Sequence, residues 1–214
     1  MKDLSNYRKS YEKSELLENQ IPEDPINLFH KWFYEAEDLN AAEEVNAMTV
    51  TTIGLDGFPK ARVVLLKKFN EEGFIFYTNY NSEKGKAILN NPNVCLSFFW
   101  PTVERQIIIK GIAEKTAENI SDNYFASRPD GSKLGAIVSP QSEVIPNREF
   151  LEENLKQLEK EWEGKEILRP AHWGGFLVRP VEVEFWQGRP NRLHDRIRYQ
   201  LTNEYDWKIE RLSP

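Results

Sequence analysis

Met48-Thr49-Val50-Thr51-Thr52-Ile53, then Asp56-Gly57, then Arg62-Val63-Val64-Leu65-Leu66-Lys67: the reading of this stretch decides the fold class. Both runs are rich in β-branched residues, and Asp-Gly between them is a hairpin signal. Working outward, Asn70-Glu71-Glu72-Gly73 reads as the next turn and Phe74-Ile75-Phe76-Tyr77-Thr78 as a third strand. Residues 94–100 and 104–115 read as two more. Near the C-terminus Val181–Trp186 is a strand, Gly188–Asn191 a turn, 192–201 a second strand, Asn203–Asp206 a turn, and Trp207–Leu212 the last strand. Strands joined by short turns predict a β-rich α+β chain built on an antiparallel barrel, not a doubly wound sheet. The strands after residue 172 are expected to complete the barrel begun at residue 47.

Helices punctuate this pattern. Asp24 and Pro25 start one whose Ile26, Phe29, Trp32, Phe33 and Ala36 form an apolar stripe. Ser82 caps a short one through Leu89. Others are expected near Ala117–Ser127, Ser132–Val138 and Arg148–Glu163; in the last, Leu151, Leu155, Leu158 and Trp162 read as a core-facing stripe. Residues 1–20 read as a mobile arm carrying Arg8 and Tyr11, and residues 21–214 as a single domain.

Composition narrows the function classes. At 214 residues with 40% hydrophobic side chains, the chain can bury a substantial core. Net charge of -6 argues against bulk nucleic-acid binding. No apolar run approaches a membrane span, and Met1–Gln20 has no apolar leader, so a cytoplasmic protein is expected. Cys95 alone makes no internal disulfide, and three scattered histidines have no metal-ligand spacing, so no metal is expected.

Against this acidic background Arg192-Leu193-His194-Asp195-Arg196-Ile197-Arg198 stands out. Read as a strand, it places Arg192, His194, Arg196 and Arg198 on one face, as a partner for an anion or a flat ring. The alternative is an exposed strand whose arginines pair with glutamates. Arg62 and Lys67 bracket an apolar run expected to be largely buried. Lys84 sits in a helix's first turn, where a cation opposes the dipole unless an anion is present. Tyr124, Arg128 and Ser132 cluster around a helix end and can together hold one phosphate, or simply cap it. Gln106, Gln141 and Ser142 can hydrogen-bond a heterocycle or finish loops, and Trp186 can cover a flat ring or belong to the core. No glycine-rich phosphate loop is present.

Taken together these stretches resemble the pyridoxamine 5′-phosphate oxidase family. The segments that carry the resemblance are Arg62–Lys67, Phe76–Asn79, Glu104–Gln106, Tyr124–Pro129, Val138–Ser142, Trp173–Phe176, and Glu184–Gly188 with Arg192–Arg196. The resemblance implies a split antiparallel β-barrel of the FMN-binding type with peripheral helices, working as a homodimer with sites built from both subunits. It implies FMN as cofactor and oxidation of pyridoxamine or pyridoxine 5′-phosphate by O2 to pyridoxal 5′-phosphate, with no nucleic-acid or membrane partner. Carried over residue by residue, FMN is held by Arg62, Val63, Val64, Leu65, Leu66, Lys67, Tyr77, Thr78, Lys84, Gln106, Gln141, Ser142, Trp186 and Arg196. The substrate meets Arg8, Tyr11, Lys67, Tyr124, Arg128 and Ser132, and Arg192 and His194 face its ring as the catalytic pair. Glu83 departs from the family, which often has arginine there. Two other readings stand beside this one: a split-barrel oxidase of another flat anionic substrate, and a non-catalytic binder of FMN or pyridoxal phosphate.

Overall fold

The computed structural model describes residues 1–214. Its elements are α1 (Pro25–Asp38), β1 (Ala47–Ile53), β2 (Pro59–Leu65), β3 (Lys68–Asn70), β4 (Gly73–Asn79), α2 (Glu83–Asn90), β5 (Asn93–Trp100), β6 (Arg105–Lys115), α3 (Glu118–Ala126), α4 (Asp130–Val138), α5 (Arg148–Glu161), β7 (Trp173–Gln187), β8 (Asp195–Leu201) and β9 (Trp207–Leu212). The strand order is β2-β1-β5-β6-β7-β4-β3, with β8 pairing β7 and β9 pairing β8. No helix is long and apolar enough to cross a membrane.

The chain divides into two compact units. One comprises Thr51–Val94 and Ile112–Arg179; the other comprises Met1–Val50, Cys95–Gly111 and Pro180–Pro214. In the first, β4 pairs antiparallel with β7 from Phe74↔Val178 to Asn79↔Trp173. Six of the seven β4 residues are buried, which explains its aromatic and β-branched composition. A smaller core gathers Phe125, Leu134, Ile167 and Trp173, with Leu155, Leu158 and Trp162 of the α5 segment packed against it. No residue of α5 is itself fully buried, so the expected core-facing stripe covers this cluster from outside.

In the other unit Asp24 caps α1 through the Ile26 N–H at 2.6 Å, and Ile26, Leu28, Phe29, Trp32 and Ala36 are buried. β7 continues into an antiparallel pairing with β8, from Glu182↔Gln200 to Gln187↔Asp195. Here the expected strand over 192–201 is corrected. β8 begins only at Asp195, because Pro190–Arg192 is a 3-10 turn in which Asn191 and Arg192 both adopt positive φ, 57° and 62°. The row of four cations on one strand face therefore does not exist. Arg196 makes two hydrogen bonds to the Glu184 carboxylate, at 2.8 and 3.0 Å. Arg198 pairs with Glu210 at 2.5 Å, its direct cross-strand neighbour. Cross-strand glutamates neutralise the two cations that do lie on the strand.

A second correction concerns β2. Its apolar run is not buried within the chain: Val63 is 68% exposed, and no β2 residue is fully buried. β7 also begins well before Val181. The Gly174-Gly175 pair and Pro180 obscure a strand that starts at Trp173.

Candidate active site

In the first unit a cavity of about 580 Å³ is walled by Arg62, Val63, Val64, Leu65 and Lys67 on one side. Tyr77, Thr78, Asn79, Lys84, Tyr124, Arg128, Pro129, Ser132, Gln141 and Trp173 complete it. Four cations and no carboxylate line it, in a chain that is acidic overall. That asymmetry selects anions.

Lys84 is placed by the start of α2. Ser82 caps the helix, accepting from the Gly85 N–H at 3.2 Å. A side chain at position 85 would meet the Tyr80 carbonyl oxygen at 2.3 Å, so only glycine lets α2 dock this closely. The Lys84 ammonium donates to Thr78 Oγ1 at 3.1 Å and to Gln141 Oε1 at 3.0 Å. Burial, and secondarily the charge of Arg62, push its pKa down to about 8, against a small opposing effect of Glu83. Arg62 donates to Thr52 Oγ1 at 2.8 Å and to the Lys60 carbonyl at 2.7 Å. Burial lowers its pKa as well. Glu83 turns to Lys60 at 2.5 Å and does not line the cavity.

The second cation group is built on aromatic rings. Tyr77 and Tyr124 stack with centroids 3.9 Å apart, and Trp173 lies nearly parallel to both. The Arg128 guanidinium lies over Trp173 at 4.7 Å. Its Nη1 is buried and has no hydrogen-bond partner. A buried, unpaired guanidinium nitrogen on a cavity wall is a donor available to an anion. Arg128 sits just past the end of α3, and Ser132 occupies the first turn of α4.

The other unit carries its own pocket of about 690 Å³, lined by Tyr7, Arg8, Lys9, Ser10, Tyr11, Arg189, Asn191, Arg192 and His194. His194 Nδ1 accepts the Arg189 backbone N–H at 3.1 Å, which leaves the proton of the neutral ring on Nε2. Burial lowers the His194 pKa, and the adjacent Arg192 lowers it further. Trp186 stands beside it with centroids 4.7 Å apart, and Tyr11 packs against both rings.

Of the residues singled out from sequence for the cofactor, Arg62, Val63, Val64, Leu65, Lys67, Tyr77, Thr78, Lys84 and Gln141 share the first cavity, together with Tyr124, Arg128 and Ser132. Leu66 is buried at 4% exposure and does not line it. Ser142, in a left-handed backbone conformation, lines a neighbouring surface pocket with Asp56, Glu83 and Lys86. Gln106, Trp186 and Arg196 belong to the other unit, as do Arg8, Tyr11, Arg192 and His194. Sequence reasoning gave Trp173 no role. The only signal was a tryptophan directly before two glycines.

Residues 35–161 match the family model described as pyridoxamine 5′-phosphate oxidase, and residues 173–214 match the pyridoxine 5′-phosphate oxidase C-terminal dimerisation region. The chain belongs to the pyridoxamine 5′-phosphate oxidase family. Among members of this oxidase family, the pyridoxine/pyridoxamine 5′-phosphate oxidase of Flavobacterium johnsoniae is 78% identical, with both chains covered in full. That of Christiangramia forsetii is 56% identical over 100% of this chain and 99% of its own. Among solved structures, PhzG of Burkholderia lata, in complex with tetrahydrophenazine-1-carboxylic acid, aligns with a TM-score of 0.86 at 28% identity, covering 93% of this chain and 98% of that one. A pyridoxamine 5′-phosphate oxidase-related, FMN-binding protein of Nostoc punctiforme shares the fold alone, with a TM-score of 0.69 at 16% identity over 86% and 96% of the two chains. The sheet described above is thus a split antiparallel β-barrel with peripheral helices.

Proposed function

We propose that this protein is an FMN-dependent oxidase that converts pyridoxamine 5′-phosphate and pyridoxine 5′-phosphate to pyridoxal 5′-phosphate in the biosynthesis and salvage of that cofactor. Molecular oxygen takes up the two electrons and two protons as hydrogen peroxide. The amine substrate also consumes water and releases ammonia. The observation that carries this reading is one cavity lined by four cations, Arg62, Lys67, Lys84 and Arg128, and by no carboxylate. Two phosphorylated ligands need several such cations.

The residues present fit FMN. Lys84 is a half-buried ammonium whose hydrogen bonds go to neutral oxygens, and a phosphate would supply a direct counter-charge. Arg62 lines the same cavity, and its charge adds to the burial that lowers the Lys84 pKa. Bound there, FMN supplies the acceptor for the hydride that leaves the substrate.

The protein's own part is positioning and electrostatics. Arg128 and Ser132 would hold the substrate phosphate, with Tyr124 held in place by its stack on Tyr77. Arg192 would lie against the substrate ring and restrict its orientation. His194, neutral and protonated on Nε2, would donate a hydrogen bond to a ring substituent. Arg8 and Tyr11 would close the pocket. Because Trp186, Arg192, His194 and Arg196 fall within the matched dimerisation region, we assign the working form to a homodimer whose sites draw on both subunits. The exposed apolar β2, which carries Arg62 to Leu65, supports this.

The test is an aerobic assay of FMN-supplemented protein with pyridoxamine 5′-phosphate. Matched formation of pyridoxal 5′-phosphate and hydrogen peroxide is expected. A yellow protein that makes neither would sink the reading.

A further inference from the structure

We propose that Glu104 is a positioning residue that holds the N-terminal arm, and with it Arg8 and Tyr11, on the substrate pocket. The identity of the substrate rests on the oxidase reading above; the holding of the arm does not.

Glu104 is 2% exposed and has a left-handed backbone, φ 59°. Its Oε2 accepts the backbone N–H groups of Glu12, at 2.9 Å, and Lys13, at 3.1 Å. Its Oε1 lies 3.3 Å from the Lys9 ammonium. A buried carboxylate is costly without donors, and these three offset that cost. They hold its pKa below the usual range although burial acts the other way. The body of the protein fixes Glu104 in turn: its carbonyl accepts the Gly188 N–H at 2.8 Å and the Gln187 side-chain amide at 3.2 Å.

The segment between Lys9 and Glu12 carries Tyr11. A side chain at position 188 would come within 2.8 Å of the Tyr11 Cβ and 3.1 Å of the Glu104 Cβ, so the arm passes close over Gly188. Tyr11 is thereby set against Trp186 and His194, and Arg8 lines the same pocket as Arg192. A second carboxylate fixes the arm further along: Asp195 accepts the Leu16 N–H at 3.0 Å. Glu104 does not line the pocket itself, so it acts on the ligand only through the arm.

The experiment uses full-length Glu104→Gln and Glu104→Leu proteins, loaded with FMN. Trypsin cleavage at Lys9 and Lys13 should quicken by about 10-fold in Glu104→Leu, with less effect in Glu104→Gln, which keeps one acceptor oxygen. KM for pyridoxamine 5′-phosphate should rise by about 10-fold while kcat stays within about twofold. Combining Glu104→Leu with Tyr11→Ala should be no worse than the poorer single variant. Unchanged cleavage, unchanged KM, or effects that multiply in the combined variant would each overturn the proposal. If the wild-type protein turns nothing over, the oxidase reading fails on its own, and the cleavage rates still decide whether Glu104 holds the arm.

Discussion

The Arg128 guanidinium lies over the Trp173 ring, 4.7 Å from its centroid, with one nitrogen buried and unpaired. An aromatic face holds a guanidinium in place without consuming its hydrogen-bond donors. Trp173 therefore orients the cation and leaves its nitrogen available for a phosphate. Replacing Trp173 with Leu should raise KM for the phosphorylated substrate by about 10-fold, while Trp173→Phe keeps most of the affinity. Steady-state kinetics beside FMN content and Tm separate this from general unfolding. A KM that follows Tm alone would remove Trp173 from the substrate site.

Lys84 makes FMN retention sensitive to pH. Its pKa in the ligand-free protein is about 8, below the ordinary lysine value because burial disfavours the charge. A phosphate binds the protonated form. FMN affinity should therefore be highest below pH 8 and weaken as pH rises above it. The sign for stability is opposite. The ligand-free fold carries a half-buried ammonium at low pH and is relieved of it as pH rises from about 8 toward the unfolded value. Flavin fluorescence titrations from pH 7 to 10 check the first effect. Lys84→Met should bind FMN more weakly and lose the pH dependence over that window.

Glu83 can be tested separately. It faces Lys60 at 2.5 Å, yet its charge still reaches Arg62 and Lys84. Glu83→Gln should tighten FMN binding by about 3-fold, since a nearby anion opposes phosphate at such a partly exposed site. Direct titration of ligand-free protein reads this, and weaker binding would mean that Glu83 helps to place Lys60 instead.

His194 and Arg192 are electrostatically coupled. Arg192 lowers the His194 pKa, second only to burial. Removing that cation with Arg192→Ala should raise the His194 pKa and move the acid limb of kcat/KM to higher pH. The same change should cut turnover far more than FMN content. Histidine ring resonances followed through a pH titration give the shift directly. No movement would mean that burial alone sets the pKa.

Much of the fold was legible in local signals. Asp24-Pro25 and Ser82 start α1 and α2 where a capping side chain and a preset φ dictate a start. The strand of Phe74–Thr78 declares itself by composition because it is buried on both faces. The first half of β7 was not legible, since glycines at 174 and 175 and Pro180 carry no strand propensity of their own. The two glycines are strand residues because β4 pairs with 173–178.

By itself the sequence determined which chemistry was available: cations at 62, 67, 84, 128 and 192, a histidine at 194, and the family they resemble. Only the tertiary structure decided which of those groups are free to act. Arg196 and Arg198 pair with glutamates across adjacent strands, although Arg198 Nε stays unpaired, while Arg128 has its unpaired nitrogen on a cavity wall that carries no carboxylate. Arg192 leaves the strand because two consecutive left-handed residues turn the chain before β8. Charge on a residue is local information, but its neutralisation depends on partners far away in sequence that only folding brings within hydrogen-bond reach.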